Sequence, residues 1–151
     1  MNIDRIVLHS AEFAKSWVNH YETLERNLQL HPKLREFSLC IVSFLCDSEY
    51  NFVHHCAPFL KAGGTLEQLN EMKKIKDDSN LTLLKNPHFS HLEQDVSELA
   101  RITVKNLKYP KPLLSRLKTQ LGERGLVELV GLICNHTARA NFTNIFEVGL
   151  E

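Results

Sequence analysis

The sequence predicts an all-α fold of six or seven helices, and three observations carry that expectation. Six glycines and five prolines in 151 residues are too few for a chain built on many β-turns. Apolar residues recur at spacings of three and four through most of the chain, the period of helices that turn one face inward. Helix-start signals, a hydroxyl residue followed three positions later by Gln or Glu, stand at Thr65 with Gln68 and at Ser90 with Glu93. At this length the chain fits a single domain over residues 1–151, with its helices in an orthogonal or bundle-like arrangement.

The elements follow in order. A first helix is expected from about Ser10 to Leu28, because Phe13, Trp17, Tyr21, Leu24 and Leu28 fall on one stripe. That stripe is either core or the seam of an oligomer. Pro32 suits a first helical turn, where its missing N–H costs nothing, and the apolar-rich run Leu34 to Cys46 follows as a helix buried on several sides. A third helix begins at an Asp47 or Ser48 cap and stops at the Gly63-Gly64 pair, with Pro58 predicting a kink or local break near His54 to Ala57. "TLEQLNEM" makes a short fourth helix, and the polar stretch from Lys73 to Pro87 reads as a flexible connection. From Ser90 a fifth helix runs to about Leu107, where "YPKP" breaks it. A sixth covers about Lys111 to Leu121 and ends at Gly122, and a long C-terminal helix follows.

Composition narrows the function classes. The formal net charge is zero, so the field that draws a protein onto phosphate backbones or acidic membranes is missing, and no nucleic-acid or membrane partner is expected. A near-zero charge also favours self-association, which points to a homo-oligomer. No secretory signal and no run of eighteen apolar residues is present, so the expectation is a cytoplasmic protein. Cys40, Cys46, Cys56 and Cys134 show no C-x-x-C spacing and read as reduced thiols.

The chemistry-bearing stretch is "CDSEYNFVHHCAPFLKAGGT", residues 46–65. On a helix, Ser48, Asn51 and His55 share one polar stripe, which faces either solvent or a pocket. Glu36 interrupts the apolar second helix, and a carboxylate turned toward a core needs a partner. If the second and third helices fold back at Asp47, Glu36 and His55 lie at similar distances from the turn and can meet. A Glu–His pair is the smallest unit for moving a proton near neutral pH, and equally an ordinary structural ion pair. His54, His55, Cys56 and Glu49 suggest a metal group, but adjacent helical positions point about 100° apart and do not easily share an ion, so no metal is expected. His9, His20, His88, His91 and His136 stand singly and read as caps or surface.

On "LREFSLCIVSFLCDSEYNFVHHCAPFLKAGGTLEQLNEM", on "FSHLEQDVSELARITVKNL" and on the tail "ELVGLICNHTARANFTNIFEVGLE", the chain resembles the carboxymuconolactone decarboxylase and AhpD-like alkylhydroperoxidase superfamily. Those blocks are similar to the family's L-R-E, Y-E-W-x-x-H and A-x-x-A-G-x-[ST]-x-E-E/Q patterns and to its closing helix with Asn and Arg. The resemblance spans nearly the whole chain and implies an AhpD-like helical domain, no metal or organic cofactor, and an oligomer (dimer, trimer or hexamer) with pockets between subunits. In the peroxidase branch, Glu is followed by a C-x-x-C pair and then His. Set on this chain, that pattern falls on Glu36 and His55, with Ser48 and Asn51 where the two thiols belong. Both thiols needed to attack a peroxide and resolve the sulfenic acid are thus absent. The decarboxylase branch resembles the chain better through Tyr50, Phe52 and His55, although it usually has Glu at the position of Asn51.

The resemblance therefore implies a carboxy-lyase-like protein acting on a small cyclic or lactone acid. His55 is the candidate acid and Glu36 orients it, while Ser48, Asn51 and Tyr50 contact substrate and Arg139 pairs with a carboxylate or forms a salt bridge. Two alternatives stand beside it: a peroxidase or antioxidant protein that uses Cys46 near a helix N-terminus as a non-standard thiol, and a non-catalytic oligomeric module that keeps the fold.

Overall fold

The computed structural model describes residues 1–74 and 86–151. These residues form helices and no strand: α1 (Asn2–Val7), α2 (Ala11–Arg26), α3 (Pro32–Leu45), α4 (Glu49–Lys61), α5 (Leu66–Lys73), α6 (His91–Val104) and α7 (Lys111–Ile145). No helix among them is long and apolar enough to cross a membrane.

Helix α3 is the centre because it has almost no polar face to give to water. Its residues from Phe37 to Ser43 are all buried, as are Leu34 and Glu36, and a helix apolar nearly all round must be enclosed. It packs against α4, α6 and α7. The Phe37 ring sits between Phe59 of α4 at 6.1 Å and Phe89, just before α6, at 5.7 Å. Each such ring contributes roughly 1.5–3 kcal/mol relative to leaving it in water. Pro32 opens the helix as expected, and the Nδ1 of His31 caps it by accepting the Lys33 N–H at 3.3 Å.

A tight reversal joins α3 to α4. Asp47 takes a left-handed φ of 53°, and the Ser48 N–H donates to the Ser43 carbonyl at 2.9 Å, which closes the helix end and folds α4 back antiparallel. Of the two candidate caps, Ser48 holds the N-cap position, but its side chain caps nothing. Of the kink or break expected near His54 to Ala57, the break does not occur, since α4 is continuous through Pro58. Pro58 lies in the last turn, so the helix loses only the one bond to the His54 carbonyl. Gly63, at φ 97°, then reverses the chain in a conformation that costs a side-chain-bearing residue. The Gly64 N–H reaches back to the Phe59 carbonyl at 2.9 Å.

The remaining elements hold these in place. Thr65 and Gln68 make a reciprocal capping box on α5, and Ser90 and Glu93 do the same on α6. Helix α6 stops at Val104 rather than near Leu107, because Asn106 turns left-handed at φ 52° and the Leu107 N–H closes onto the Ile102 carbonyl at 2.9 Å. Helix α7 changes direction at Gly122, φ 73° and ψ 176°, the point where the sequence places the end of one helix and the start of the next. The first helix is shorter than its pattern, Ala11 to Arg26. Helix α1, absent from the sequence expectations, has six residues, too few for a periodicity to register. Ile3 and Val7 pin it, buried with Ala14 and Tyr50. Most of the connection expected from Lys73 to Pro87 falls on residues 75–85, outside the described residues.

Candidate functional site

The reversal at Asp47 brings Glu36 and His55 together. The His55 Nδ1 lies 2.9 Å from the Glu36 Oε2. An ionised carboxylate only accepts, so the ring donates Nδ1–H, and the neutral imidazole carries its lone pair on Nε2. The second Glu36 oxygen accepts from Arg35, Nε and Nη2 each at 3.1 Å. Glu36 is only 6% exposed. Burial alone would raise its carboxyl, but the hydrogen bond and charge of His55 and then Arg35 outweigh it and hold the group below its ordinary value. The side chain of His55 is 16% exposed.

This pair lines a cavity of about 380 Å³, walled also by Tyr21, Leu39, Pro58, Leu132, His136 and Arg139. His136 meets His55 edge to face, ring centroids 4.9 Å apart, and its Nε2 lies 2.8 Å from the Ser43 hydroxyl. That hydroxyl gives its own proton to the Leu39 carbonyl at 2.7 Å, so His136 must be the donor, from Nε2. Burial first, then the neighbouring His55 and Arg139, push the His136 pKa well below its ordinary value, and the ring stays neutral.

Arg139 is the least satisfied group in the site. It is 9% exposed, with its guanidinium carbon 4.8 Å from the Tyr21 ring centre and 5.9 Å from that of Trp17. Its buried Nε has no hydrogen-bond partner among the described residues, and none of their carboxylates pairs with it. The salt bridge the sequence allowed is therefore not made within the described residues. Burial raises the Tyr21 hydroxyl to about 12, against the pull of Arg139, and the hydroxyl donates to the Asn135 carbonyl at 3.2 Å. A second cavity of about 440 Å³ lies by Lys33, Glu93 and Arg124, but its charges are already matched, Lys33 to Glu93 at 2.9 Å and Arg124 to Glu128 at 2.8 Å.

The other expected substrate contacts lie elsewhere. Ser48 and Asn51 form a closed buried network with Thr143 of α7. The Asn51 amide donates to the Ser48 Oγ at 2.9 Å and to the Thr143 Oγ1 at 2.7 Å, and the two hydroxyls are 3.0 Å apart. Thr143 gives its proton to the Ala140 carbonyl at 2.9 Å, so Ser48 donates to Thr143 and no proton is left for a ligand. Neither residue lines the His55 cavity. Nor does Tyr50, whose hydroxyl donates to Glu151 at 3.2 Å.

The metal group does not converge either. His54 turns its two ring nitrogens to the Tyr50 carbonyl and the Glu151 carboxylate, both at 2.7 Å, while His55 faces Glu36. Among the described residues no three His, Cys, Asp or Glu side chains are placed to hold an ion. Burial pushes the Cys46 thiol up to about 11, Lys105 pulling the other way, the wrong direction for a nucleophile.

Sequence reasoning missed three members of the site. Arg35 adjoins Glu36 in the sequence but belongs to no motif there. His136 stands singly in the sequence, although it lies three positions before Arg139 and so shares its helical face. Ser43 carried no signal. The fold and site together define an all-α protein with a Glu–His pair and a buried arginine on one side cavity. No protein-family model, curated protein or solved structure matches this chain.

Proposed function

We propose that the protein is a carboxymuconolactone decarboxylase-like lyase that acts on a small cyclic or lactone carboxylic acid by proton transfer through His55. One observation supports this reading most: Arg139, which pairs with no carboxylate among the described residues, lines the same cavity as the Glu36–His55 pair. A guanidinium without an acid partner is a strong donor to an anionic oxygen that enters the cavity. Binding an acid is what this wall is short of.

Decarboxylation places the remaining parts. The substrate carboxylate leaves as carbon dioxide, its bonding electron pair stays on carbon, and that carbon takes a proton from the Nε2 of a protonated His55, which solvent replenishes. Glu36 fixes the ring through Nδ1. An arginine on the departing carboxylate would favour the ground state, so Arg139 serves on an oxygen that keeps or gains charge, the retained acid or the developing enolate. Ser48, Asn51 and Tyr50 take no part. The reading includes a cytoplasmic homo-oligomer with no nucleic-acid partner, and the exposed rings of Phe13 and Phe146 are the surface that supports self-association.

A screen of small cyclic and aromatic-pathway acids, following carbon dioxide release, tests it. The wild type should turn over at least one of them, and His55→Ala should lose about 10²–10⁴-fold, the usual weight of a general acid. Glu36→Gln should lose less, and Arg139→Met should raise KM. Release that survives His55→Ala undiminished, or no release from any such acid, ends the proposal.

A further inference from the structure

Cys40 and Cys56 form a thiol pair on the α3–α4 seam that the His55 cavity does not use. The register of the seam is fixed independently by two rings, Phe37 and Phe59, 6.1 Å apart. Cys40 follows Phe37 by three residues and Cys56 precedes Phe59 by three. On antiparallel helices these steps run the same way along the same faces, so the cysteines stand opposite each other about one turn nearer the reversal. The two thiols lie close enough to shift each other's ionisation in opposite directions.

Access divides the pair. Cys40 is fully buried, whereas Cys56 is partly exposed and lines a cavity of about 560 Å³ with Ser43, Phe52 and Lys73. Neighbouring helical positions diverge by about 100°, so Cys56 opens onto this cavity while His55 opens onto the other. The geometry points to a reversible dithiol–disulfide at Cys40 and Cys56, oxidised by a low-molecular-weight disulfide that reaches Cys56 through its cavity. It stands independently of the small-acid reading.

The chemistry of the two sulfurs fits those roles. The nearby Cys40 thiol is the largest influence on Cys56 and, with the charge of Lys73, outweighs burial to hold that thiol at about 7. The same pairing, then burial and the negative charges of Cys56 and Glu36, push Cys40 far up. The Cys56 thiolate attacks one sulfur of RS–SR and expels RS⁻, giving a mixed disulfide. The Cys40 sulfur then attacks the Cys56 sulfur, and its proton leaves with the second RS⁻. Two protein thiols are oxidised to one disulfide while one RS–SR is reduced to two RSH. The closed bond ties α3 to α4 beside the proton pair, since Cys40 lies one turn from Glu36 and Cys56 adjoins His55.

The test is a non-reducing peptide map of the reduced full chain after incubation with glutathione disulfide. The expected product is a cross-link between the Cys40 and Cys56 peptides, with an intact mass lower by a pair of hydrogens, reversed by dithiothreitol. Cys40→Ser should stop at a stable glutathione adduct on Cys56, and Cys56→Ser should give neither cross-link nor adduct at Cys40. An adduct on Cys56 of the wild type that never resolves, or modification confined to Cys46 and Cys134, overturns the proposal. Should a serine variant fail to fold, alkylation of the wild type decides: near neutral pH, Cys56 must react with iodoacetamide at least about tenfold faster than Cys46, and equal rates sink the assignment.

Discussion

Replacing Glu36 with glutamine tests the central contact without changing its shape. The carboxylate accepts three N–H groups, from His55 at 2.9 Å and from Arg35 at 3.1 Å twice. Glutamine keeps one acceptor oxygen, which Arg35 claims, and turns its amide NH₂ toward His55, so the imidazole must accept at Nδ1 and carry its proton on Nε2. The variant thus loses one charge and inverts the tautomer that the cavity meets. Hydrogen bonds to charged groups contribute about 1.5–3 kcal/mol each, but Arg35 is partly solvated and keeps the one oxygen its two N–H groups share, so the net loss should be about 2 kcal/mol. For a chain of this size that lowers Tm by about 4–8 °C near neutral pH.

The sign of the pH dependence sharpens the test. The Glu36 carboxyl is held below its ordinary 4.5, so its stabilisation is complete above that value and is lost as pH falls through the folded value. Circular-dichroism melts of wild type and Glu36→Gln should therefore differ near neutrality and converge in acid. Equal Tm values near neutral pH, or a gap that stays constant down the acid limb, would refute the placement of this carboxylate between Arg35 and His55.

Three further outcomes follow from the same structure. Thr143→Val removes the acceptor shared by Ser48 and Asn51 and should lower urea stability by about 2–3 kcal/mol, the cost of stranding buried donors; a loss under about 0.5 kcal/mol would show the network to be slack. His136 is kept neutral well below its ordinary 6.5, so the unfolded chain binds its proton first and stability falls with pH. Between about pH 6.5 and 5.5 this costs the wild type about 1 kcal/mol more than His136→Gln, and parallel denaturation curves at the two pH values would contradict it. Gly122→Ala forces a side chain into φ 73°, ψ 176° and should cost about 1–3 kcal/mol, whereas Gly131→Ala, helical and with open space at its Cβ, should gain about 0.8 kcal/mol. Thermal melts of the two variants that move in the same direction would show that the bend at Gly122 is not needed.

Much of the fold was legible because local chemistry and tertiary packing agree. The Thr65 and Ser90 boxes start α5 and α6 where the spacing places them, Gly122 divides the long helix, and the polar Glu36 in an apolar run marked where a partner had to be. Helix α1 escaped because six residues carry no period, and its helicity comes from packing Ile3 and Val7 against Tyr50 and Ala14 rather than from local preference.

The site divides along a different line. The shared stripe of Ser48, Asn51 and His55 is a correct statement about one helix, but α4 packs against two others, and each claims a different part of it. Near the reversal, Thr143 of α7 takes Ser48 and Asn51; two turns on, Glu36 of α3 takes His55. Spacing along one helix says which side chains point together, not which neighbour reaches each level, because that is set by where α3 and α7 cross it. The unmet nitrogen of Arg139 is legible only in three dimensions for the same reason. An arginine in the sequence is expected to find a carboxylate, and here the guanidinium lies against the rings of Tyr21 and Trp17 and pairs with no carboxylate of the described residues. Arg139 of α7 and the Glu36–His55 pair of α3 and α4 come to one cavity only when the three helices are assembled, a convergence that spacing along any single helix does not carry.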